Sequence, residues 1–215
     1  MINKNLICRI CSSKNISYFD KYKGNFFNID ELIKCNDCKV IYASPFPSAI
    51  ELYEYYSKGN YYNLVSNQNK KLLKISQKLI NNSRMNFIST KLDINKISSV
   101  LDIGSGNASL VIELKNNNSK INYDIVEPDK FIFSNNSKYI RNIFTDIDNI
   151  KNEKYDLIII NFVMEHLIDP LKFMKKIRMI MNKNSHVYIE IPNSEYLYKK
   201  FYTPHLFFWN LESFK

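Results

Sequence analysis

The sequence predicts an α/β protein in which a doubly wound parallel sheet follows a small lobe held together by a metal. Three observations predict this fold class. From Ser98 onward, short continuous apolar runs alternate with helical patterns, which is typical of a parallel sheet covered on both faces. A glycine-rich turn follows the first of these runs, and all four cysteines lie within the first 38 residues. A chain of 215 residues is long enough for one large core and a small appended module.

The cysteines form two CxxC pairs, Cys8 with Cys11 and Cys35 with Cys38, separated by 23 residues. This spacing matches a structural zinc site in which four thiolates fill the coordination shell. Disulfide bonds and redox chemistry are the alternatives. Disulfide bonds suit a cytoplasmic chain poorly, and a thioredoxin-like redox motif would not occur twice within one loop-rich segment. So short a segment cannot build a sufficient core, and the metal would supply the missing folding energy. We therefore predict a zinc-ribbon-like lobe. Its predicted strands are residues 16–19 and 25–34.

The connecting region is predicted to be helical. Ser48 is a suitable N-cap for a short helix over residues 49–57, and a longer helix is predicted over residues 67–92, with a possible break at residues 81–83. Residues 61–98 carry seven basic side chains and one acidic side chain, in a chain whose net charge is +9. We interpret this excess as a solvated helix face, with a nucleic-acid contact surface as the alternative.

Five strands are predicted in the rest of the chain, each from a short apolar run. In chain order they are residues 99–103, 123–126, 140–144, 155–160 and 186–191. The helices predicted between them are residues 108–115, 130–137 and 170–181. The predicted domains are therefore a zinc-binding lobe at 1–47, a helical connector at 48–97 and a sheet domain at 98–215.

Polar residues follow the carboxyl ends of four predicted strands, where doubly wound sheets bind their ligands. They are Asp102, Gly104 and Gly106 with the first strand, Glu127 after the second, Asp146 after the third and Asn161 after the fourth. The glycines would let a ligand approach the backbone, and an acidic side chain after the second strand can accept both hydroxyls of a ribose. A nicotinamide dinucleotide and S-adenosylmethionine are both compatible cofactors, but the turn lacks the third glycine of the dinucleotide fingerprint.

The pattern Asp-x-Gly-x-Gly-x-Ala at residues 102–108 resembles motif I of the class I S-adenosylmethionine-dependent methyltransferases. Further segments are similar to the same family, namely DIVEPD at 124–129, YDLIIINFVMEHLIDP at 155–170, YIEIPN at 188–193 and PHLFFWNLESF at 204–214. The two CxxC pairs and the YYSKGNYY bridge also resemble a bacterial subgroup that includes nucleotide-sugar and glycan methyltransferases. The resemblance covers essentially the whole chain and implies a Rossmann-like methyltransferase fold.

This resemblance implies a site for S-adenosyl-L-methionine. The turn residues Gly104, Ser105 and Gly106 would border the methionine part of the cofactor, and Asp102 would bind near its amino group. The remaining implied contacts are Glu127 to the ribose hydroxyls, Asp146 to the adenine amino group, Asn161 and Phe162 beside the methyl group, and Tyr61 or Tyr62 as a cover.

The implied reaction transfers a methyl group to a small-molecule acceptor, such as a nucleotide sugar or a surface-glycan precursor. His205 is the first candidate for a general base, and His166 beside Glu165 is the second, whereas His186 is interpreted as structural. Sugar C-methyltransferases of this type carry a His-Glu-His cluster where this chain has only PHL at residues 204–206. An oxygen acceptor is therefore favoured over a carbon acceptor.

Two other functions stay open at this stage. One is an RNA methyltransferase that would contact phosphates through the basic residues Lys70, Lys71, Lys74 and Lys78. The other is a non-catalytic module that keeps the fold without the chemistry.

The chain also departs from the family in length. The family's sheet normally has seven strands, and no sequence remains for the last two, so we expect a chain that is incomplete at its C-terminus. The start of the chain lacks the apolar stretch of a signal peptide, and the longest apolar run, residues 157–164, is too short to cross a bilayer. A cytoplasmic protein without a membrane partner is therefore expected.

Overall fold

The computed structural model describes residues 6–24, 26–57, 70–129, 137–194 and 204–214, with residues 70–74 described by their backbone only. The strands are β1 (Ile16–Lys21), β2 (Glu31–Cys35), β3 (Ile41–Ser44), β4 (Ser99–Ile103), β5 (Asn122–Val126), β6 (Asn142–Phe144), β7 (Tyr155–Asn161), β8 (Met181–Glu190) and β9 (Phe207–Phe208). The α-helices are α1 (Ala49–Ser57), α2 (Lys70–Lys91), α3 (Leu110–Asn117) and α4 (Pro170–Met179).

The described residues form two compact units. The first, here called the cysteine unit, draws on residues 1–52, 162–175 and 190–215. The second, here called the sheet unit, draws on residues 53–161 and 176–189. The three-domain division drawn from the sequence stays a prediction.

The cysteine unit is built on an antiparallel sheet with the strand order β1-β2-β3-β9. The predicted first strand is present and extends two residues further, to Lys21. The second predicted strand, residues 25–34, is wrong in its first half, because β2 begins only at Glu31. Phe27 and Asn28 adopt left-handed backbone conformations, with φ of 53° and 55°, and therefore form a turn where a strand was predicted.

Strand β9 was not predicted from the sequence. It brings a segment from late in the chain onto the cysteine unit, where Tyr42 pairs with Phe207 and Ile41 with Phe208. All four side chains are buried. Burying side chains of this size contributes roughly 1.5–3 kcal/mol each, so this short pairing adds substantially to the core of the unit.

Helix α1 confirms the prediction for residues 49–57, and its start is a capping box. The Glu51 backbone N–H donates to Ser48 Oγ at 3.2 Å, and the Ser48 backbone N–H donates to Glu51 Oε2 at 2.8 Å. These two reciprocal bonds satisfy backbone donors that the helix itself leaves unpaired, which fixes the point where the helix begins.

The sheet unit contains a five-stranded sheet with the order β6-β5-β4-β7-β8. Strand β4 is parallel to both of its neighbours, and β5 is parallel to β6. Numbered within this sheet alone, the order is 3-2-1-4-5, which is the order of a Rossmann-like doubly wound fold. The predicted fold class is confirmed.

Continuous apolar runs explain why the middle strands are central. Leu157, Ile158, Ile159 and Ile160 of β7 are fully buried, as are Val100 and Leu101 of β4. Helices α2 and α3 supply buried side chains to the same core, among them Met85, Ile88, Val111 and Leu114.

After residue 98, three elements begin two or more residues away from the predicted start, each for a physical reason. Helix α3 begins at Leu110 because Ala108 has φ of 51°, which is incompatible with a right-handed helix. Strand β6 begins at Asn142 because residues 137–139 form a 3-10 turn. Strand β8 begins at Met181, since its polar first half is held by hydrogen bonds rather than by apolar burial. The helix predicted over residues 170–181 ends at Met179, because Met181 already belongs to the next strand.

Helix α2 runs without a break through residues 81–83. Asn81 is buried there, and its side-chain amide donates to Ser109 Oγ at 2.9 Å while its carbonyl accepts from Arg84 at 3.1 Å. Both polar ends of the amide are therefore satisfied inside the unit. Residues 67–69 of this predicted helix and residues 130–136 of the helix predicted over 130–137 lie outside the described residues. Among the described helices, none is both long and apolar enough to span a bilayer.

Candidate functional site

The glycine-rich turn leaves β4 in a series of left-handed conformations. Gly104, Gly106 and Ala108 have φ of 65°, 52° and 51°. A Cβ atom built on Gly106 would have no atom of the described residues within 4 Å, apart from the glycine and its two chain neighbours, so the backbone faces open space within the described part of the chain. Glycine adopts this conformation at 106 without the strain that a side chain adds, and the space beside it admits a ligand close to the backbone.

The carboxyl ends of three parallel strands lie side by side at this turn. Ile103 pairs with Val126 on one side and with Ile160 on the other. The next residues along each strand are Gly104, Glu127 and Asn161. Residues that are distant in the sequence are therefore aligned at one edge of the sheet, as the strand-end argument predicts.

Glu127 connects the turn to the end of β5. Its side chain is 7% exposed, its Oε2 accepts the Gly106 backbone N–H at 2.9 Å, and its Oε1 accepts the Asp129 backbone N–H at 3.1 Å. Each carboxylate oxygen retains a second lone pair for a further donor. The pKa of Glu127 is raised to about 7, mainly by burial; the charges of Asp129 and Asp102 add to the rise, and the two backbone hydrogen bonds oppose it.

Asp102 lies inside β4 and is 3% exposed. The hydroxyl group of Tyr123 donates a hydrogen bond to Asp102 Oδ2. Burial raises the pKa of Asp102 to about 7, while the Tyr123 hydrogen bond opposes this shift. The contact of Tyr123 with Asp102 could not be predicted from the sequence, because an aromatic residue in an apolar strand indicates only core packing.

Two oxygen atoms near these strand ends are buried without a hydrogen-bond partner among the described residues. They are Ser105 Oγ in the glycine-rich turn and Asn161 Oδ1 at the end of β7. Buried polar atoms in native proteins are nearly always hydrogen-bonded, so both atoms have unused capacity for a polar ligand. Together with the open backbone at Gly106 and the Glu127 carboxylate, they fit a ligand that carries hydroxyl and amino groups.

The two other predicted cofactor residues have different surroundings. Asp146 is exposed, and its Oδ1 accepts the Asp148 backbone N–H at 2.8 Å, which caps a 3-10 turn. Phe162 belongs to the cysteine unit, is 44% exposed and has φ of 54°. A left-handed conformation costs an aromatic residue energy and is held here by the Phe162 N–H, which donates to the Glu190 carbonyl at 2.8 Å.

The four cysteines converge in the cysteine unit. Cys8 Sγ lies 3.6 Å from Cys38 Sγ, and Cys11 Sγ lies 3.5 Å from Cys35 Sγ. All four sulfur atoms lie within 4.8 Å of one another, and none forms a disulfide bond. Four thiolates at tetrahedral zinc, with bonds of about 2.3 Å, would lie about 3.8 Å apart.

The two CxxC turns have matching backbone geometry. Ser12 and Lys39, each one residue past the second cysteine of its pair, have φ of 60° and 63°. The Ile10 backbone N–H donates to Cys8 Sγ at 3.4 Å, and the Cys38 backbone N–H donates to Cys35 Sγ at 3.5 Å. N–H groups directed at sulfur stabilise thiolates. The donor set and its geometry therefore fit a structural Zn²⁺ ion.

The three predicted catalytic residues lie together within the cysteine unit. Glu165 and His166 lie in the 3-10 turn Met164–His166, and one ligand atom from each of Glu165, His166 and His205 lies within 4.8 Å of the others. The two imidazole rings meet edge to face with their centroids 4.9 Å apart. The chain's third histidine, His186, is exposed on β8.

One backbone hydrogen bond and one bond from a side chain to the backbone hold this cluster in place. The Leu206 N–H donates to the Glu165 carbonyl at 2.7 Å, and the Pro204 carbonyl lies 2.9 Å from His166 Nδ1. Because a carbonyl can only accept, His166 carries its proton on Nδ1. Its Nε2 lies 3.9 Å from Glu165 Oε1.

Burial sets the charges of the cluster. It lowers the pKa of His166 to about 4 and, together with the nearby His166, that of His205 to about 3. It also raises the pKa of Glu165 to about 7, with the charge of Glu190 adding to the rise. At neutral pH the imidazoles of His166 and His205 are therefore uncharged, and each has a nitrogen lone pair that can bind a proton or a metal. The Glu165 carboxyl group beside them is close to half ionised.

Some residues with a role predicted from the sequence lie wholly or partly outside the described part of the chain. Tyr61 and Tyr62 fall outside the described residues, as do the side chains of Lys70, Lys71 and Lys74. Lys78, the remaining member of the basic group, is exposed on α2.

Comparisons with solved structures find methyltransferases with a similar fold. The plantazolicin methyltransferase BpumL in complex with SAH and a pentazolic desmethylPZN analog superposes with a TM-score of 0.55 at 17% identity, covering 67% of this chain and 58% of that chain. BpumL in complex with SAH alone gives 0.53 at 18% identity, with the same coverage of both chains. The chain thus spans 58% of the length of these structures, and at this identity the likeness establishes the fold.

A search of curated protein sequences finds no match. A family model described as a methyltransferase domain matches residues 63–214, which is more than half of the chain. With the Rossmann-like sheet and the glycine-rich turn after its first strand, this match shows that the chain belongs to the methyltransferase-domain family.

Proposed function

We propose that this protein transfers a methyl group from S-adenosyl-L-methionine to a small-molecule acceptor. The observation that carries the proposal is the arrangement at the strand ends of the sheet unit. There, the open backbone of Gly106 is hydrogen-bonded to the buried Glu127 carboxylate, beside the unpartnered oxygen of Ser105. Family membership and the fold support this reading.

In this proposal, Glu127 recognises the ribose of the cofactor. Its oxygens each accept one backbone N–H and keep lone pairs for the two ribose hydroxyls. Gly104, Ser105 and Gly106 contact the methionine part, and Asp102, which lies in β4 just before the turn, binds near its amino group. Asn161 and Phe162 line the methyl side, and Asp146 contacts the adenine. Tyr61 or Tyr62 covers the site.

The cofactor supplies an activated methyl group, so the chain's own residues need mainly to align the acceptor and exclude water. Transfer to a hydroxyl group also requires removal of one proton. We propose His205 or His166 for this role, with Glu165 beside them. Both imidazoles are neutral near pH 7 and can therefore accept a proton, although their lowered pKa values make them weak bases.

We propose a nucleotide sugar or a glycan precursor as the acceptor, methylated on oxygen. The arrangement of CxxC pairs before a methyltransferase domain, which resembles nucleotide-sugar methyltransferases, supports this substrate class. A reaction on such precursors would take place in the cytoplasm. We further propose that Cys8, Cys11, Cys35 and Cys38 hold a structural zinc ion, which their geometry supports.

Calorimetry with S-adenosylhomocysteine tests the cofactor site. We expect the wild-type chain to bind, Glu127→Ala to lose at least about 100-fold in affinity through two charge-assisted hydrogen bonds, and the exposed Glu212→Gln variant to bind like the wild type. Absence of binding by a folded, zinc-containing chain would overturn the proposal.

A transfer assay with labelled S-adenosylmethionine tests the acceptor class. We expect label to enter a pool of nucleotide sugars rather than total RNA. Label in RNA that disappears when Lys78 and its neighbours are neutralised would identify the RNA methyltransferase instead. Cofactor binding without transfer to any acceptor would favour a non-catalytic module.

A further inference from the structure

The cluster of Glu165, His166 and His205 has the composition of a metal site that is separate from the four cysteines. We propose that it binds a divalent cation of the zinc type through the Glu165 carboxylate, His166 Nε2 and a ring nitrogen of His205. The site is a second metal centre within the cysteine unit.

The distances within the cluster suit a shared cation better than direct hydrogen bonds. Glu165 Oε1 and His166 Nε2 are 3.9 Å apart, which is too far for a hydrogen bond. With metal bonds of about 2.1 Å at tetrahedral angles, such atoms would lie about 3.4 Å apart. The three ligand atoms already lie within 4.8 Å of one another, so small side-chain rotations would complete the coordination.

The Glu165 carboxyl group provides the strongest argument for a ligand. Glu165 is 1% exposed, and neither of its carboxylate oxygens has a hydrogen-bond partner among the described residues. A buried carboxylate without partners is costly, and native structures normally pair such groups with a cation or with hydrogen-bond donors. A cation at the cluster would satisfy this carboxylate.

The surroundings of His166 match those of a metal-binding histidine. Such residues usually donate the proton of the nitrogen that does not bind the metal to a carbonyl or a carboxylate, which fixes the ring and its tautomer. His166 Nδ1 does this with the Pro204 carbonyl at 2.9 Å and thereby presents the Nε2 lone pair towards Glu165. The Leu206 N–H bond to the Glu165 carbonyl joins the two chain segments that provide the ligands.

The ligand atoms of the cluster also indicate which cations it would bind. Two imidazoles and one carboxylate favour Zn²⁺, Co²⁺ or Fe²⁺ over Mg²⁺ and Ca²⁺, which prefer all-oxygen shells. Both imidazoles are neutral near pH 7, because burial lowers their pKa values, and they need release no proton on binding. Three protein ligands leave an open coordination position. That this position receives an oxygen of the methyl acceptor rests on the proposed function. With the cation bound, the lone pair of His166 Nε2 is occupied, so the general-base role proposed above for this histidine applies to the metal-free cluster.

Titration of the metal-free full chain with Co²⁺ tests the site. The four-thiolate site gives intense sulfur-to-metal absorption, whereas a site of two nitrogens and one oxygen gives only weak visible bands, so the two are counted separately. We expect two bound cations per chain, one of each spectral type. A single cation of the thiolate type in the wild-type chain would overturn the proposal, whatever the variants do.

Variants locate the second cation. Glu165→Gln and His205→Ala should weaken its binding by at least about 100-fold, as expected when a ligand is removed, while the thiolate absorption persists and reports that the unit is folded. His186→Ala is the matched control, since that histidine is exposed on β8, and it should keep both cations. Retention of the second cation by both cluster variants would refute the assignment. Binding of S-adenosylhomocysteine, measured in parallel, shows separately whether the proposed function fails.

Discussion

The raised pKa of Glu127 predicts that the ribose of the cofactor binds more weakly as the pH falls. The ribose hydroxyls need the ionised carboxylate as acceptor, whereas burial raises the pKa of this group to about 7 in the structure. At pH 6 about one tenth of the carboxyl groups are then ionised, and at pH 8 about nine tenths. The affinity should therefore fall about tenfold from pH 8 to pH 6, or about 1.4 kcal/mol, and by a further factor of about ten at pH 5.

The assay is calorimetry with 5′-methylthioadenosine between pH 5 and pH 8. This probe keeps the ribose but lacks the amino-acid part of the cofactor, which separates Glu127 from Asp102, whose pKa is also raised to about 7. Glu127→Gln should bind weakly at every pH and lose the pH dependence, while Glu212→Gln should behave like the wild type. An affinity that is constant with pH, or that rises as the pH falls, would show that Glu127 does not bind the ribose in its ionised form.

Three further predictions concern other parts of the chain. Gly106→Ala should reduce S-adenosylhomocysteine affinity more than about tenfold, because the added methyl group enters the proposed ligand space. It should lower the free energy of unfolding by only about 1–2 kcal/mol, the cost of a left-handed alanine, since among the described residues the methyl group meets no atom beyond its chain neighbours within 4 Å. Equal affinity would place the ligand elsewhere. Removal of zinc by a chelator, or Cys35→Ser, should unfold the cysteine unit, seen as loss of near-ultraviolet circular dichroism from its aromatic residues; an unchanged spectrum would contradict a structural metal. In the metal-free chain, the raised pKa of Glu165 makes the folded form hold a proton that the unfolded form releases between about pH 4.5 and 7, so stability falls as the pH rises through this range. Glu165→Gln should remove the contribution of this group and leave the contributions of Glu127 and Asp102, whose pKa values are also raised to about 7. The variant should be more stable than the wild type by up to about 3 kcal/mol at pH 8 but not at pH 4. Denaturant unfolding at the two pH values measures this difference, and a variant no more stable than the wild type at pH 8 would contradict it.

The parts of the fold that depend on local pattern could be predicted from the sequence. Continuous apolar runs such as 157–160 located all five strands of the sheet, and their alternation with helices indicated the parallel order. The two CxxC pairs predicted which cysteines come together. Helix α1 could be placed to the residue, because its capping box is entirely local.

The parts that depend on tertiary contacts could not be predicted in this way. Strand β9 has only two residues and exists because Tyr42 and Ile41 pair with it. The first half of β8 is polar, so it lacks the apolar signal of a strand. Ala108 has no glycine-like signature, although its backbone is left-handed.

The catalytic candidates illustrate the same limit. His166 and His205 could be named from the sequence one at a time, since each stands in a segment similar to a known family. They share a cluster with the carboxyl group of Glu165 because two hydrogen bonds join distant segments. One runs between the His166 side chain and the Pro204 carbonyl, 38 positions apart, and the other between the backbones of Leu206 and Glu165, 41 positions apart. No local pattern encodes such bonds.

The pairing of β9 with β3 has a consequence for the order in which the protein can fold. Ile41 pairs with Phe208, so the ribosome must add about 165 further residues before β3 can pair with β9. Until then, one side of β3 remains an unprotected edge that can pair with another chain. The cysteine unit, although it begins the sequence, should therefore be among the last parts of the molecule to close, and a nascent chain that stalls before Phe207 would be prone to aggregate.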